Sequence, residues 1–195
     1  NRFLLEGNLL SENEKKMYQN VTIYMSDVEA VIAISTMCMY LERCYGKKSI
    51  ILLDEYDTPM QEAYIYGYWE EFTGFMRSLF NATFKTNPYL QRAIMTGITR
   101  VSKESMFSDL NNLDVYTVID NDYSEYFGFS IEETKELLEY YDLELNDEVK
   151  EMYDGYKMGD KEIYNPWFIL NYARRKVLVP YWVNTSANTM LKQAI

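Results

Sequence analysis

The run Ile50-Ile51-Leu52-Leu53-Asp54-Glu55 constrains the fold of this chain more than any other feature. Four consecutive apolar residues without alternation suit a strand buried on both faces, as in a parallel sheet covered by helices. A strand with one face in water would alternate. The strand is expected over Ser49 to Leu53, and two carboxylates follow as it emerges. Ligands of open parallel sheets bind at the carboxyl ends of strands, so Asp54 and Glu55 stand where chemistry would be done. This order has the form of a Walker B motif: the strand holds the first carboxylate near a magnesium ion, through its water shell, while the next residue reaches an attacking water. Asp54 would then serve the metal and Glu55 would polarise the water. A buried strand followed by an acidic turn is also a common structural device, and the motif alone does not choose between the two.

Signals on either side supply the rest of an α/β unit. Ser11-x-x-Glu14 and Ser26-x-x-Glu29 are capping boxes, opening a short polar helix to about Asn20 and an apolar helix that Gly46 ends. Thr58-Pro59 reads as a break. Helical periodicity resumes from about Tyr68 to Phe84, and Asn87-Pro88 stops it before a second apolar strand, Leu90 to Thr96. Strand, helix, strand of this length is a βαβ unit, right-handed by rule. Beyond Gly97 a polar loop, a short helix around Lys103 to Leu110 and a strand at Val115 to Ile119 are expected. Ser130-x-x-Glu133 then caps a helix through Tyr141, Asn146 caps another through Tyr153, and Asn165-Pro166 supplies the N-cap and first residue of a third. The expected fold class is α/β, a partial parallel sheet with flanking helices over residues 1–125, which resembles the P-loop NTPase type through its Walker B form, followed by a small, mostly helical domain over 126–195.

Composition narrows the chemistry. The 195 residues, 48% apolar, can bury one sizeable core. The chain has no histidine, which removes Ser-His-Asp, Cys-His and His-ligated zinc chemistry and leaves carboxylates as the catalytic resource. A net charge of −11 argues against wrapping a nucleic acid backbone, the one basic knot being Arg174, Arg175 and Lys176. Cys38 and Cys44 lie six positions apart in one expected helix, so they point to different faces and are read as reduced thiols. No apolar stretch is long enough to cross a bilayer and no signal segment opens the chain, so a cytoplasmic location without membrane contact is expected. Asn1 as first residue, with Arg2 to Leu5 resembling the tail of an amphipathic element, suggests a start inside a domain. The 19 tyrosines are read mostly as half-buried packing residues.

The second strand ends in Thr96-Gly97-Ile98-Thr99-Arg100, which sets polar and cationic groups at the same sheet edge as Asp54. Thr96, Thr99 and Arg100 are therefore candidate sensor residues, able to contact a γ-phosphate or orient a water, with Arg100 neutralising developing charge. The alternative for Arg100 is a salt bridge to Asp54, Glu55 or Asp57 that only orders the loop. Asp57, before Thr58-Pro59, also has a plain use in shaping the turn. Gly46-Lys47-Lys48-Ser49 resembles the end of a phosphate-binding loop, but Leu41 stands where the upstream glycine is required. It also runs from helix to strand, whereas a phosphate loop must run from strand to helix.

Taken in order, Leu52-Leu53-Asp54-Glu55-Tyr56-Asp57-Thr58-Pro59, Thr96 to Ser105, Leu110 to Leu113, Tyr126-Phe127-Gly128-Phe129, Tyr153-Asp154-Gly155-Tyr156, Tyr164-Asn165-Pro166-Trp167 and Tyr181 to Ser186 carry a resemblance. The chain resembles the bacterial AAA-ATPase-like proteins that usually carry a C-terminal PD-(D/E)XK-type nuclease-like domain. The resemblance implies a P-loop module with a helical lid, ATP and Mg2+ as ligands of the parent protein, Asp54 and Glu55 as its Walker B pair and the Thr96 to Arg100 strand end as its sensor. Asn165 and Pro166 resemble the proline-bearing lid contacts of related ATPases, and Trp167, Tyr181 and Trp182 are expected in the lid core. The P-loop itself is expected to precede Asn1, and nucleic acid to be met only through a domain outside this chain. The rival expectation is a degenerate ATPase core kept as a structural module for protein partners or self-association, favoured by the acidic surface and the tyrosines.

Overall fold

The computed structural model describes residues 2–98, Phe107, Leu110, 112–153 and 155–182, and the chain divides into two compact units, Asn1–Leu113 and Asp114–Ile195. In the first unit, α1 (Arg2–Glu6) and α2 (Glu12–Gln19) precede the long α3 (Asp27–Tyr45). Both expected capping boxes form: Ser11 Oγ accepts from the Glu14 amide while the Glu14 carboxylate accepts from Ser11 N at 2.8 Å, and Ser26 and Glu29 repeat the pattern. Each cap of this kind stabilises its helix by about 1 kcal/mol. Gly46 ends α3 in the left-handed region at φ 63°, where a side chain would be strained. Arg43 reaches back from α3 to Glu14 at 2.8 Å, and Tyr40 packs with Leu4 and Leu10. Cys38 and Cys44 are both free thiols on α3, the first buried and the second half-buried.

The strands β1 (Ser49–Leu53) and β2 (Leu90–Met95) pair in parallel, with Leu53 opposite Met95. Between them run α4 (Thr58–Tyr66), α5 (Trp69–Phe80) and a π-helical turn, Asn81–Lys85. Ile51, Leu53, Ala93 and Met95 share the inner face, packed against Met60, Met76, Phe80, Phe84 and Phe107. The opposite face is a correction to the expectation of a doubly buried strand: Ile50, Leu52 and Ile94 are 59%, 74% and 52% exposed. They stay exposed within the described residues, so the apolar run is only half used there. A second correction concerns Thr58-Pro59, which begins α4 instead of breaking the chain. Proline lacks only an N–H that the first turn of a helix leaves without an intrahelical partner, and its fixed φ suits that turn.

The second unit contains a 3₁₀ turn (Ser124–Tyr126), α6 (Ile131–Tyr140), α7 (Asp147–Tyr153), the antiparallel hairpin β3 (Tyr156–Met158) and β4 (Lys161–Ile163), and α8 (Pro166–Arg175). The strand expected at Val115 to Ile119 does not form. The Asp120 carboxylate instead accepts from both the amide and the hydroxyl of Thr117 at 2.7 Å, closing a local turn that competes with strand pairing. Leu138, Val149, Tyr153, Tyr164 and Ile169 form the core. Tyr153 donates its hydroxyl to Val179 O at 2.8 Å, and burial pushes its phenol above the usual range. Trp167 is 58% exposed on the first turn of α8, contrary to its expected place in this core. Tyr181 stacks on Tyr153, and Trp182 sets its edge against Phe168. The expected helix around Lys103 to Leu110 lies outside the described residues apart from Phe107 and Leu110, both buried. Among the described residues no helix is long and apolar enough to cross a membrane.

Candidate functional site

Parallel pairing brings the carboxyl ends of β1 and β2 side by side, and the pairing continues past both strands. Thr96 N donates to Leu53 O at 2.9 Å, and Tyr56 N donates to Thr96 O at 3.0 Å. Thr96 is thereby bracketed by the turn after β1. Its hydroxyl donates to Asp54 Oδ1 in a short contact between residues 42 apart in sequence, and Glu55 N donates to the same oxygen at 3.0 Å. Among the described residues no hydrogen bond falls on Asp54 Oδ2, and the side chain is exposed. One oxygen is fixed and the other faces outward, an arrangement that suits outer-shell contact with a hydrated magnesium ion.

Glu55 adopts φ 51°, the left-handed region in which a residue with a Cβ is strained by about 1–2 kcal/mol. The start of α4 helps to hold it there. Thr58 N donates to Glu55 O at 3.1 Å, and the Thr58 hydroxyl reaches Glu55 Oε2 at 3.4 Å. The Glu55 side chain is exposed beside Asp54. Asp57, by contrast, is fully enclosed and accepts from Gln61 Nε2 at 2.9 Å and from Ile98 N at 3.3 Å. Its buried contacts escaped the sequence reading, although Asp-Thr-Pro could have signalled a helix start.

Of the expected site residues, Asp54, Glu55 and Thr96 come together. Thr99 and Arg100 lie outside the described residues. Asn165 and Pro166 belong to the second unit, where Asn165 Oδ1 accepts from Trp167 N at 2.9 Å and Pro166 is the first residue of α8. That cap is a complete structural use for Asn165. Gly46 to Ser49 connects α3 to β1, helix to strand, so its amides are not arranged as a phosphate loop. Among the described residues no group of three His, Cys, Asp or Glu side chains converges to hold a metal. Asp54 alone fits the lesser protein share of a magnesium site whose other ligands are water and phosphate.

Residues 5–107 match the AAA-ATPase-like family, described as Predicted AAA-ATPase. The chain is also 30% identical over 149 residues to an uncharacterized protein in the vnfD 5′ region of Azotobacter chroococcum mcd 1, a match covering 75% of this chain. It spans about 28% of that relative's length. No solved structure matches. With more than half of its residues in the match, and with paired strands ending in Asp54 and Thr96, the chain belongs to the AAA-ATPase-like family.

Proposed function

We propose that this chain is the Walker B and sensor portion of an ATP-binding, ATP-hydrolysing protein of regulatory or nuclease-coupled role, built on a P-loop NTPase-type sheet. The observation that carries this is the joining of Asp54 to Thr96 at the carboxyl end of a parallel strand pair, with a second carboxylate, Glu55, held next to it. When bound, ATP with magnesium supplies the scissile phosphoanhydride and the charge that neutralises its oxygens. Asp54, fixed through Oδ1, would hold the hydrated magnesium ion through its other carboxylate oxygen. Glu55 accepts a hydrogen bond from the attacking water and aligns it. Thr96 keeps Asp54 in register, and Thr99 and Arg100, which follow it in sequence, serve as the sensor pair. Residues 1–125 serve as the ATPase core and 126–195 as a lid-like domain, with Asn165 and Pro166 as its nucleotide-binding candidates.

The test is magnesium-dependent ATP binding and turnover by the full-length protein. Asp54→Ala should abolish the magnesium dependence of binding. Glu55→Gln should bind nucleotide as the wild type does while turning over about 10²-fold or more slowly. Unchanged turnover in Glu55→Gln would remove that residue from its role. A wild type that neither binds nor hydrolyses ATP would leave a scaffold for protein partners or self-association.

A further inference from the structure

Asp57 occupies the N-cap of α4, a position from which an aspartate ordinarily accepts from the first amides of its own helix. It makes no such bond; its backbone is already helical at φ −88° and ψ −18°. Its oxygens serve other partners instead. Oδ2 accepts from Gln61 Nε2, one turn along α4, and Oδ1 accepts from Ile98 N, beyond the exit of β2. The side chain is 1% exposed. Enclosing a carboxylate costs several kcal/mol unless hydrogen bonds compensate, and a cap could be made by an exposed aspartate without that cost. Gly97 completes the fit, since a Cβ there would stand 2.6 Å from Asp57 Oδ1 and 2.7 Å from the Tyr56 ring. No side chain can be added at Gly97 without displacing one of the two.

We propose that Asp57 is a positioning residue: its carboxylate clamps the Gly97-Ile98 backbone against the turn after β1 and so holds Thr96 on Asp54. Asp57 touches neither water nor phosphate in this role. It couples the two strand exits, so that a shift of one carries the other. The consequence for turnover rests on the function proposed above, whereas the clamp is a property of this chain alone.

Hydrogen exchange resolved to single amides tests the clamp without any nucleotide. Asp57→Ala should speed exchange at Ile98 about tenfold or more, as expected for losing a hydrogen bond to a charged group, with wild-type circular dichroism. Asp57→Asn keeps an acceptor oxygen and should restore most of the protection. Unchanged exchange at Ile98 in a folded Asp57→Ala protein overturns the proposal. Should that variant not fold, Asp57→Ser decides, because its hydroxyl stands one bond short of Oδ1, the atom that accepts from Ile98 N: faster exchange at Ile98 supports the clamp and wild-type exchange overturns it.

In the full-length protein, Asp57→Ala should lower kcat about tenfold or more with KM within about twofold, and Asp57→Asn should recover it. Equal losses in both variants would mean that the charge itself is required, and would overturn a positioning role. A wild type without ATP turnover defeats the proposed function, and the exchange result still decides the clamp.

Discussion

The two faces of the β1–β2 pair are both largely apolar, with Arg92 opposite Ile50 as the charged member of the outer one, and have opposite surroundings. Ile51, Leu53, Ala93 and Met95 meet a wall of methionine and phenylalanine, whereas Ile50, Leu52 and Ile94 meet solvent. An apolar side chain contributes to stability through the area it loses to water, so the same leucine is worth about 1.5–3 kcal/mol on one face and little on the other. Apolarity in a sequence therefore records that a cover is expected. It does not say whether the cover lies within the same residues.

The largest test of the contrast lies beneath the inner face. Phe80 is enclosed, stacked 5.9 Å from Phe107 and set edge-on to Phe84. Phe80→Ala should cost about 3–5 kcal/mol in a denaturant melt of this chain, and a loss below about 1 kcal/mol would show the inner core to be loosely held.

A smaller effect comes from the polar tie between α2 and α3. The Ser11 amide and then Arg43 hold the Glu14 carboxyl below its usual range. A lowered folded pKa contributes stability that is complete above the unfolded value and is lost as pH falls through the folded one. Glu14→Gln should therefore cost under about 1 kcal/mol at neutral pH. The gap to wild type should close under acid conditions; a pH-independent gap would assign the loss to packing.

The smallest effect is expected on the outer face, where Leu52→Ala should change stability by less than about 0.5 kcal/mol. A loss near that of Phe80→Ala would break the comparison and show that Leu52 is covered in solution.

Much of the strand-exit site was legible before any coordinates. The order of four apolar residues, Asp and Glu placed a strand and two carboxylates at its end, and Thr96 fell on the neighbouring exit. Serine with glutamate three residues on is local chemistry, and all three such boxes formed. What stayed hidden depended on distant partners or on competition. Nothing in Ile50 to Leu53 distinguishes a covered face from a bare one. Val115 to Ile119 has strand composition, but Asp120 captures Thr117 first. Asp57 looked like a turn residue because its partner, the Ile98 amide, lies 41 residues away.

The left-handed backbone at Glu55 bears on how this protein can be improved. A glycine there would relieve the strain at once, and selection for thermal stability alone would favour it. A library screened only for heat resistance should therefore discard the carboxylate early and yield tougher proteins lacking that acid. On the function proposed above, screening for ATP turnover together with heat resistance would retain it, and loss of glutamate under both pressures would count against that role.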